Sequence, residues 1–184
     1  MLGKAVERGQ NLFVRQAAEI GQQADVRYPY GLDLPDAFHA LVGIANDKLI
    51  GVRDPLGIRP LVLGKMNESY IFASETCALD IIGAKFVREV ENGEVVVISA
   101  DGIKSYKPFP KKPERPCIFE YIYFARPDSI VGGKSIYECR KGFGRELAKE
   151  SNVEADMIIP IHDSGVPSAI GYAEQAGIPF ELGI

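Results

Sequence analysis

The spacing of apolar and polar positions changes character twice along the chain. Between residues 2 and 24, Leu2, Val6, Leu12, Phe13, Ala17 and Ile20 recur at roughly helical intervals, with Arg8, Arg15 and Glu19 elsewhere on the wheel. Gly3, Gly9 and Gly21 weaken that helix, each by about 1 kcal/mol against alanine, and Tyr28, Pro29, Tyr30, Gly31 and Pro35 break it. From His39 the pattern shortens to strands. HALVGIA and KLIGVR flank Asn46 and Asp47, RPLVLGK and SYIFASE meet around residues 66–68, and GEVVVISA and IKSYK flank Asp101 and Gly102. Each pair reads as a hairpin. Residues 76–82 read as a short helix, so this region is expected to be mostly antiparallel sheet.

The densest apolar run is PCIFEYIYFARPDS, residues 116–129, which sets Ile118, Phe119, Tyr121, Ile122, Tyr123 and Phe124 around the carboxylate of Glu120. Its aromatic and β-branched content predicts a buried extended segment joining two different architectures. Helical spacing returns after Ser129. Ser135 and Glu138 form a capping box, and Ile136, Cys139, Phe143 and Leu147 mark a helix to about Lys149. Met157, Ile158, Ile159, Pro160 and Ile161 read as a short buried strand, and His162, Asp163, Ser164 and Gly165 as the loop after it. Pro167 suits a first helical turn, the helix continues through Ala169, Ile170 and Ala173 until Gly177 ends it, and residues 178–184 begin another strand. Strand, loop, helix, strand is the opening of a doubly wound α/β domain. One helix cannot cover both faces of a parallel pair, so the carboxyl end is expected to be truncated.

Composition narrows the classes. The 184 residues suit one domain, or a small domain with part of another, and 46% hydrophobic with 25% charged residues describes a globular chain. A net charge of −4 leaves no basic footprint for nucleic acid. The basic residues within 104–115 alternate with Pro108, Pro110 and Pro113 and read as a solvated linker. No apolar run approaches the roughly eighteen residues of a membrane span. The start, MLGKAVERGQ, lacks a signal pattern, so the cytoplasm is expected. Cys77, Cys117 and Cys139 are odd in number and far apart, which argues against a disulfide framework and a local CxxC metal site.

Candidate chemistry centres on Asp163, Ser164 and Gly165. A glycine-containing loop at a helix start presents backbone N–H groups and the positive end of the helix dipole to an anion such as phosphate. Ser164 can donate as well, and Asp163 can cap the helix or act through a metal; simple capping is the competing reading. His39 and His162 end up at strand ends without a triad, and Cys77 and Cys139 read as packing residues. In RDPLGIRP, Asp54 is placed to pair with Arg53 or Arg59 in a tight framework turn.

Four blocks, RDPLGIRPLVLGK at 53–65, ASETCALD at 73–80, the 116–129 run and EADMIIPIHDSGVPSAIGYAEQAGIPFELG at 154–183, together closely resemble the glutamine phosphoribosylpyrophosphate amidotransferases. The resemblance runs from about Ala37 to the end. It implies an unmatched segment at 1–36, the latter part of an N-terminal-nucleophile glutaminase domain at 37–115, an interdomain junction at 116–134, and the truncated start of a phosphoribosyltransferase-type α/β domain at 135–184. It further implies an enzyme that uses glutamine and phosphoribosyl pyrophosphate, with Mg²⁺ and as a homo-oligomer, to make 5-phosphoribosylamine in purine synthesis. Asp163, Ser164 and Gly165 then contact pyrophosphate. Cys117 stands where some members carry a ligand of a 4Fe–4S cluster, although one thiolate cannot hold such a cluster and packing is the competing role. The family's amino-terminal cysteine nucleophile has no counterpart at Met1, Leu2 and Gly3, and its ribose-phosphate loop would follow Ile184. No catalytic residue is therefore expected within the chain, and the chain alone is expected to be inactive. Two other readings are a non-catalytic remnant that binds a full-length subunit and a stand-alone phosphosugar-binding module.

Overall fold

Turn chemistry sets the strand registers. In the computed structural model, which describes residues 40–45 and 47–183, β1 (Ala40–Ala45) and β2 (Lys48–Arg53) pair antiparallel with Ala45 opposite Lys48. The two-residue connection leaves Asp47 at φ 58°, a region aspartate tolerates better than most side chains. β3 (Val62–Met66) and β4 (Ser69–Ala73) repeat the device with Met66 opposite Ser69 and Asn67 at φ 53°. β6 (Val95–Ser99) and β7 (Gly102–Tyr106) close with Ser99 opposite Gly102. The last turn is thus Ala100 and Asp101, one residue earlier than the spacing predicts. The helix expected over residues 2–24, and His39, lie outside the described residues.

The described chain divides into two units. The first comprises the described residues up to Ser74 together with Phe86–Pro116. It holds a four-stranded sheet in the order β1-β2-β6-β7 and a three-stranded sheet in the order β4-β3-β5, where β5 is Lys85–Glu89. β5 went unpredicted because KFVRE alternates poorly and carries three charges. β6 explains why its sequence is a continuous apolar run: Val95 and Val97 pack with Ile50, Val52 and Phe109, while Val96 faces Leu61, Val90 and Phe72. Both faces are buried, and each covered valine contributes about 2 kcal/mol.

Buried acids hold this unit's irregular backbone. Asp54 is fully buried, and its carboxylate accepts N–H bonds from Leu56 at 2.9 Å and Ile58 at 3.0 Å. Arg53 donates to the carbonyls of Arg59 at 3.0 Å and Val90 at 2.8 Å. RDPLGIRP is therefore a framework turn whose carboxylate accepts backbone N–H groups. Gly57 completes it at φ 65°, where a Cβ would fall 2.1 Å from the Asn92 side chain. Glu94, 1% exposed, accepts a bidentate pair from Arg88 at 2.8 and 2.7 Å, the Ser105 hydroxyl at 2.5 Å and the Glu91 N–H at 2.7 Å.

The second unit comprises Glu75–Lys85 and residues 117–183. It contains α1 (Thr76–Ile81), a π-helical turn at Glu120–Phe124, a short hairpin of β8 (Ile130–Val131) and β9 (Lys134–Ser135), α2 (Ile136–Glu150) and α3 (Val166–Ala176). Ser135 caps α2, accepting the Glu138 N–H at 3.4 Å as its capping box requires. Gly177 at φ 70° ends α3. Antiparallel sheets with separate helices make this an α+β fold, and no helix among the described residues is long and apolar enough to cross a membrane.

Three expectations are corrected. The 116–129 run is not a buried extended segment: it makes one helical turn at Glu120–Phe124, where the Ala125 N–H donates to the Glu120 carbonyl five residues back, and Ile118, Phe119, Ile122, Tyr123 and Phe124 are exposed. One turn carrying apolar side chains in almost every position points them all round its axis, so they cannot share one buried face. Met157, Ile159 and Ile161 are exposed too. Their segment pairs through the single parallel bridge of Ile158 with Phe180, and Pro160 has no N–H with which to extend it. The covered face of α2 runs through Ile136, Arg140, Gly144 and Ala148, while Phe143 and Leu147 are exposed.

Burial pushes the Glu94 carboxyl upward, but the bonds from Arg88, Ser105 and Glu91 outweigh it and the folded state holds it below the usual carboxylate range. Its stabilisation is present above the unfolded carboxylate pKa of about 4.3 and is lost as pH falls through the lower folded value. The urea midpoint of the chain should drop on acidification below about pH 4, and Glu94→Gln should flatten that part of the profile. An unchanged acid limb in Glu94→Gln would rule out this role.

Candidate functional site

The loop of Asp163, Ser164 and Gly165 enters α3 directly. Gly165 is the cap residue, so no side chain caps the helix. The Val166 N–H donates to the Asp163 carbonyl at 3.2 Å, and the Ala169 N–H donates to the Gly165 carbonyl at 2.9 Å. Asp163 is 99% exposed and lies 3.5 Å from the His162 ring across a cis peptide. Ser164 and Gly165 are half-buried. A side chain at Gly165 would fall 2.6 Å from the Ile161 carbonyl, so the loop folds tightly on the segment before it. Pro167 in the first turn supplies no N–H and a helical φ. With the Val166 N–H taken by the Asp163 carbonyl and Pro167 carrying none, this start offers an anion the Ser168 N–H and the positive end of the helix dipole. The competing reading, in which the side chain of Asp163 or Ser164 caps the helix, has no side-chain hydrogen bond behind it; the Asp163 carbonyl takes the Val166 N–H instead.

What holds this helix is its neighbour. A Cβ on Gly144 of α2 would sit 1.8 Å from the Ser168 carbonyl, and one on Gly171 of α3 would sit 2.0 Å from the Lys141 carbonyl. The two backbones touch, and only glycine permits it. At the rim Glu174 accepts from Lys141 at 2.7 Å and Arg145 at 3.2 Å.

α2 is fixed in turn by a cation. Arg140 is 1% exposed, and its guanidinium donates to the carbonyls of Tyr121 at 2.9 Å and Ala125 at 2.8 Å, both at the π-helical turn. Burial lowers its pKa, partly offset by Glu75. Glu75 itself accepts the Arg126 N–H at 2.8 Å and the Ser129 hydroxyl at 2.9 Å, and the Ile130 N–H bonds to Thr76 at 2.8 Å. Sequence reasoning missed Arg140 and Glu75. Arg140 had a signal: it lies four residues from Ile136 and four from Gly144, on the face those two share.

The cysteines do not form a metal site. Cys77 is buried while Cys117 and Cys139 are half-buried, all three are free, and no three His, Cys, Asp or Glu side chains converge among the described residues. These residues do not fit an iron–sulfur cluster or a magnesium cage; Cys117 supplies one thiolate and Asp163 one carboxylate. Burial pushes the Cys77 thiol up against the hydrogen bond with Ser129, which suits a packing residue and not a nucleophile.

No protein-family model matches the chain. Over 151 residues it is 56% identical to the amidophosphoribosyltransferase of Rhizobium etli, covering 79% of this chain and 30% of the relative. It is 52% identical over 147 residues to the chloroplastic amidophosphoribosyltransferase 1 of Arabidopsis thaliana, covering 79% of this chain and 26% of the relative. Among solved structures, the glutamine phosphoribosylpyrophosphate amidotransferase of B. subtilis, complexed with ADP and GMP, superposes with a TM-score of 0.75 at 46% identity. That match covers 78% of this chain and 32% of the other. The chain thus spans less than a third of the length of these relatives. The resemblance carried by the four sequence blocks holds both in sequence and in fold.

Replacing Arg140 by leucine removes two charged donors and leaves two carbonyls to find other partners. Arg140→Leu should destabilise the chain by about 3 kcal/mol in urea denaturation. A loss below about 0.5 kcal/mol, the level of an ordinary surface change, would remove the guanidinium from this structural role.

Proposed function

We propose that this chain is a segment of an amidophosphoribosyltransferase, carrying the latter part of its glutaminase half and the start of its phosphoribosyltransferase half. The observation that carries the proposal is the 56% identity sustained over 151 residues, which takes in both units. On this reading the sheet-bearing unit corresponds to the N-terminal-nucleophile glutaminase fold, and α3 with the Ile158 and Phe180 bridge corresponds to the first crossover of the phosphoribosyltransferase fold. The whole enzyme releases ammonia from glutamine. The ammonia nitrogen attacks the anomeric carbon of phosphoribosyl pyrophosphate, the carbon–oxygen bond breaks, pyrophosphate departs with the electron pair, and the new amine sheds a proton.

Within that reaction the loop of Asp163, Ser164 and Gly165 receives the pyrophosphate. Negative charge on the leaving group grows as the bond breaks, so the preorganised Ser168 N–H and the helix dipole at the start of α3 favour the transition state over the ground state. Ser164 adds a hydroxyl donor. Asp163 is exposed at the loop's tip, where its carboxylate can accept from substrate hydroxyls.

The test is a chimera: the Rhizobium etli enzyme with its matching 151 residues replaced by those of this chain. It should release pyrophosphate with glutamine as donor and restore purine-free growth to a strain lacking its own enzyme. Asp163→Ala in the chimera should raise KM for phosphoribosyl pyrophosphate about tenfold, the scale of one lost hydrogen bond to a charged group. A chimera that folds by circular dichroism yet releases no pyrophosphate would overturn the assignment.

A further inference from the structure

Ser168 lies in the first turn of α3, three residues beyond the cap at Gly165. Its hydroxyl donates to the backbone carbonyl of Arg140, in the middle of α2, at 3.1 Å. Near a helix start, serine commonly accepts an N–H from its own helix; here glycine occupies the cap and the serine donates outward to a neighbouring helix. A side-chain cap would occupy the Ser168 N–H, the first-turn donor left to an anion once Val166 bonds to Asp163 and Pro167 offers none. An outward anchor steadies the same turn and leaves that donor in place.

The anchor is itself anchored. Arg140 holds the carbonyls of Tyr121 and Ala125, so bonded contacts run from the π-helical turn through α2 to the first turn of α3. Close backbone approach at Gly144, where the nearest atom belongs to Ser168, removes slack at the same point.

We propose that Ser168 is a positioning residue for the phosphate-binding loop, setting the direction of its own N–H and of the first turn of α3 through its bond to α2. The inference rests on reading Asp163, Ser164 and Gly165 as the pyrophosphate loop. The Ser168 side chain touches no reacting atom; it acts through the helical turn that bears the donor.

The experiment uses the active chimera, with ammonia supplied directly so that the glutaminase step is bypassed. Ser168→Ala should raise KM for phosphoribosyl pyrophosphate about fivefold, the scale of one neutral hydrogen bond, with little change in thermal midpoint. Ser168→Thr keeps the hydroxyl and should restore KM. Gly144→Ala, which forces α3 away from α2, should raise KM independently. If Asp163→Ala raises KM while Ser168→Ala does not, the loop assignment stands and the positioning role falls. A Ser168→Ala variant that loses thermal stability at unchanged KM marks a purely structural serine and equally overturns the proposal. If neither Asp163→Ala nor Ser168→Ala moves KM, the loop assignment falls and takes the inference with it.

Discussion

A guanidinium buried among carbonyls organises the second unit. Removing a cation from water costs several kcal/mol even after relaxation, and Arg140 offsets that cost with hydrogen bonds to Tyr121 and Ala125, each in the 1.5–3 kcal/mol range usual for charged donors. The geometry explains the choice of residue. A π-helical turn breaks the regular i to i+4 ladder and leaves carbonyls that its own backbone does not serve. The planar fork of arginine reaches two of them at once, which the point charge of lysine does not.

The first unit solves the mirror problem with the opposite charge. Its irregular stretches leave N–H groups to be satisfied, and the buried carboxylates of Asp54 and Glu94 accept them. Charged residues that resemble an anion site on paper, above all Arg53, Asp54 and Arg59, belong to this framework. Both units thus use ionised side chains to complete the backbone's hydrogen bonding, and neither use depends on a ligand.

The hairpins were legible because two-residue turns leave a compositional mark: Asp47, Asn67 and Gly102 stand at or beside positions of positive φ. The capping box of α2 was legible for the same reason, a local rule acting over three residues. The π-helical turn was not, since aromatic and β-branched density is shared by buried strands and by exposed helical turns. The covered face of α2 was misread because glycine counts for nothing in a hydrophobic pattern, yet Gly144 makes the closest approach of all. The loop at Asp163, Ser164 and Gly165 was visible as composition. Its support through Ser168 and Arg140 was not, because that bond joins residues 28 apart in sequence and one partner is a backbone atom.

The docking of α1 has a consequence for the order in which the chain acquires structure. Its first residues, Glu75, Thr76 and Cys77, bond to Arg126, Ser129 and Ile130, partners 51 to 54 residues downstream. On a ribosome adding about 5–20 residues per second, those partners emerge seconds after the helix itself. Until then the hydrogen bonds that fix the start of this helix, between β4 and β5, stay unmade. Strand pairing on either side of it can begin at once, but the excursion between the two strands closes late, making this short helix a checkpoint in synthesis as well as a part of the finished fold.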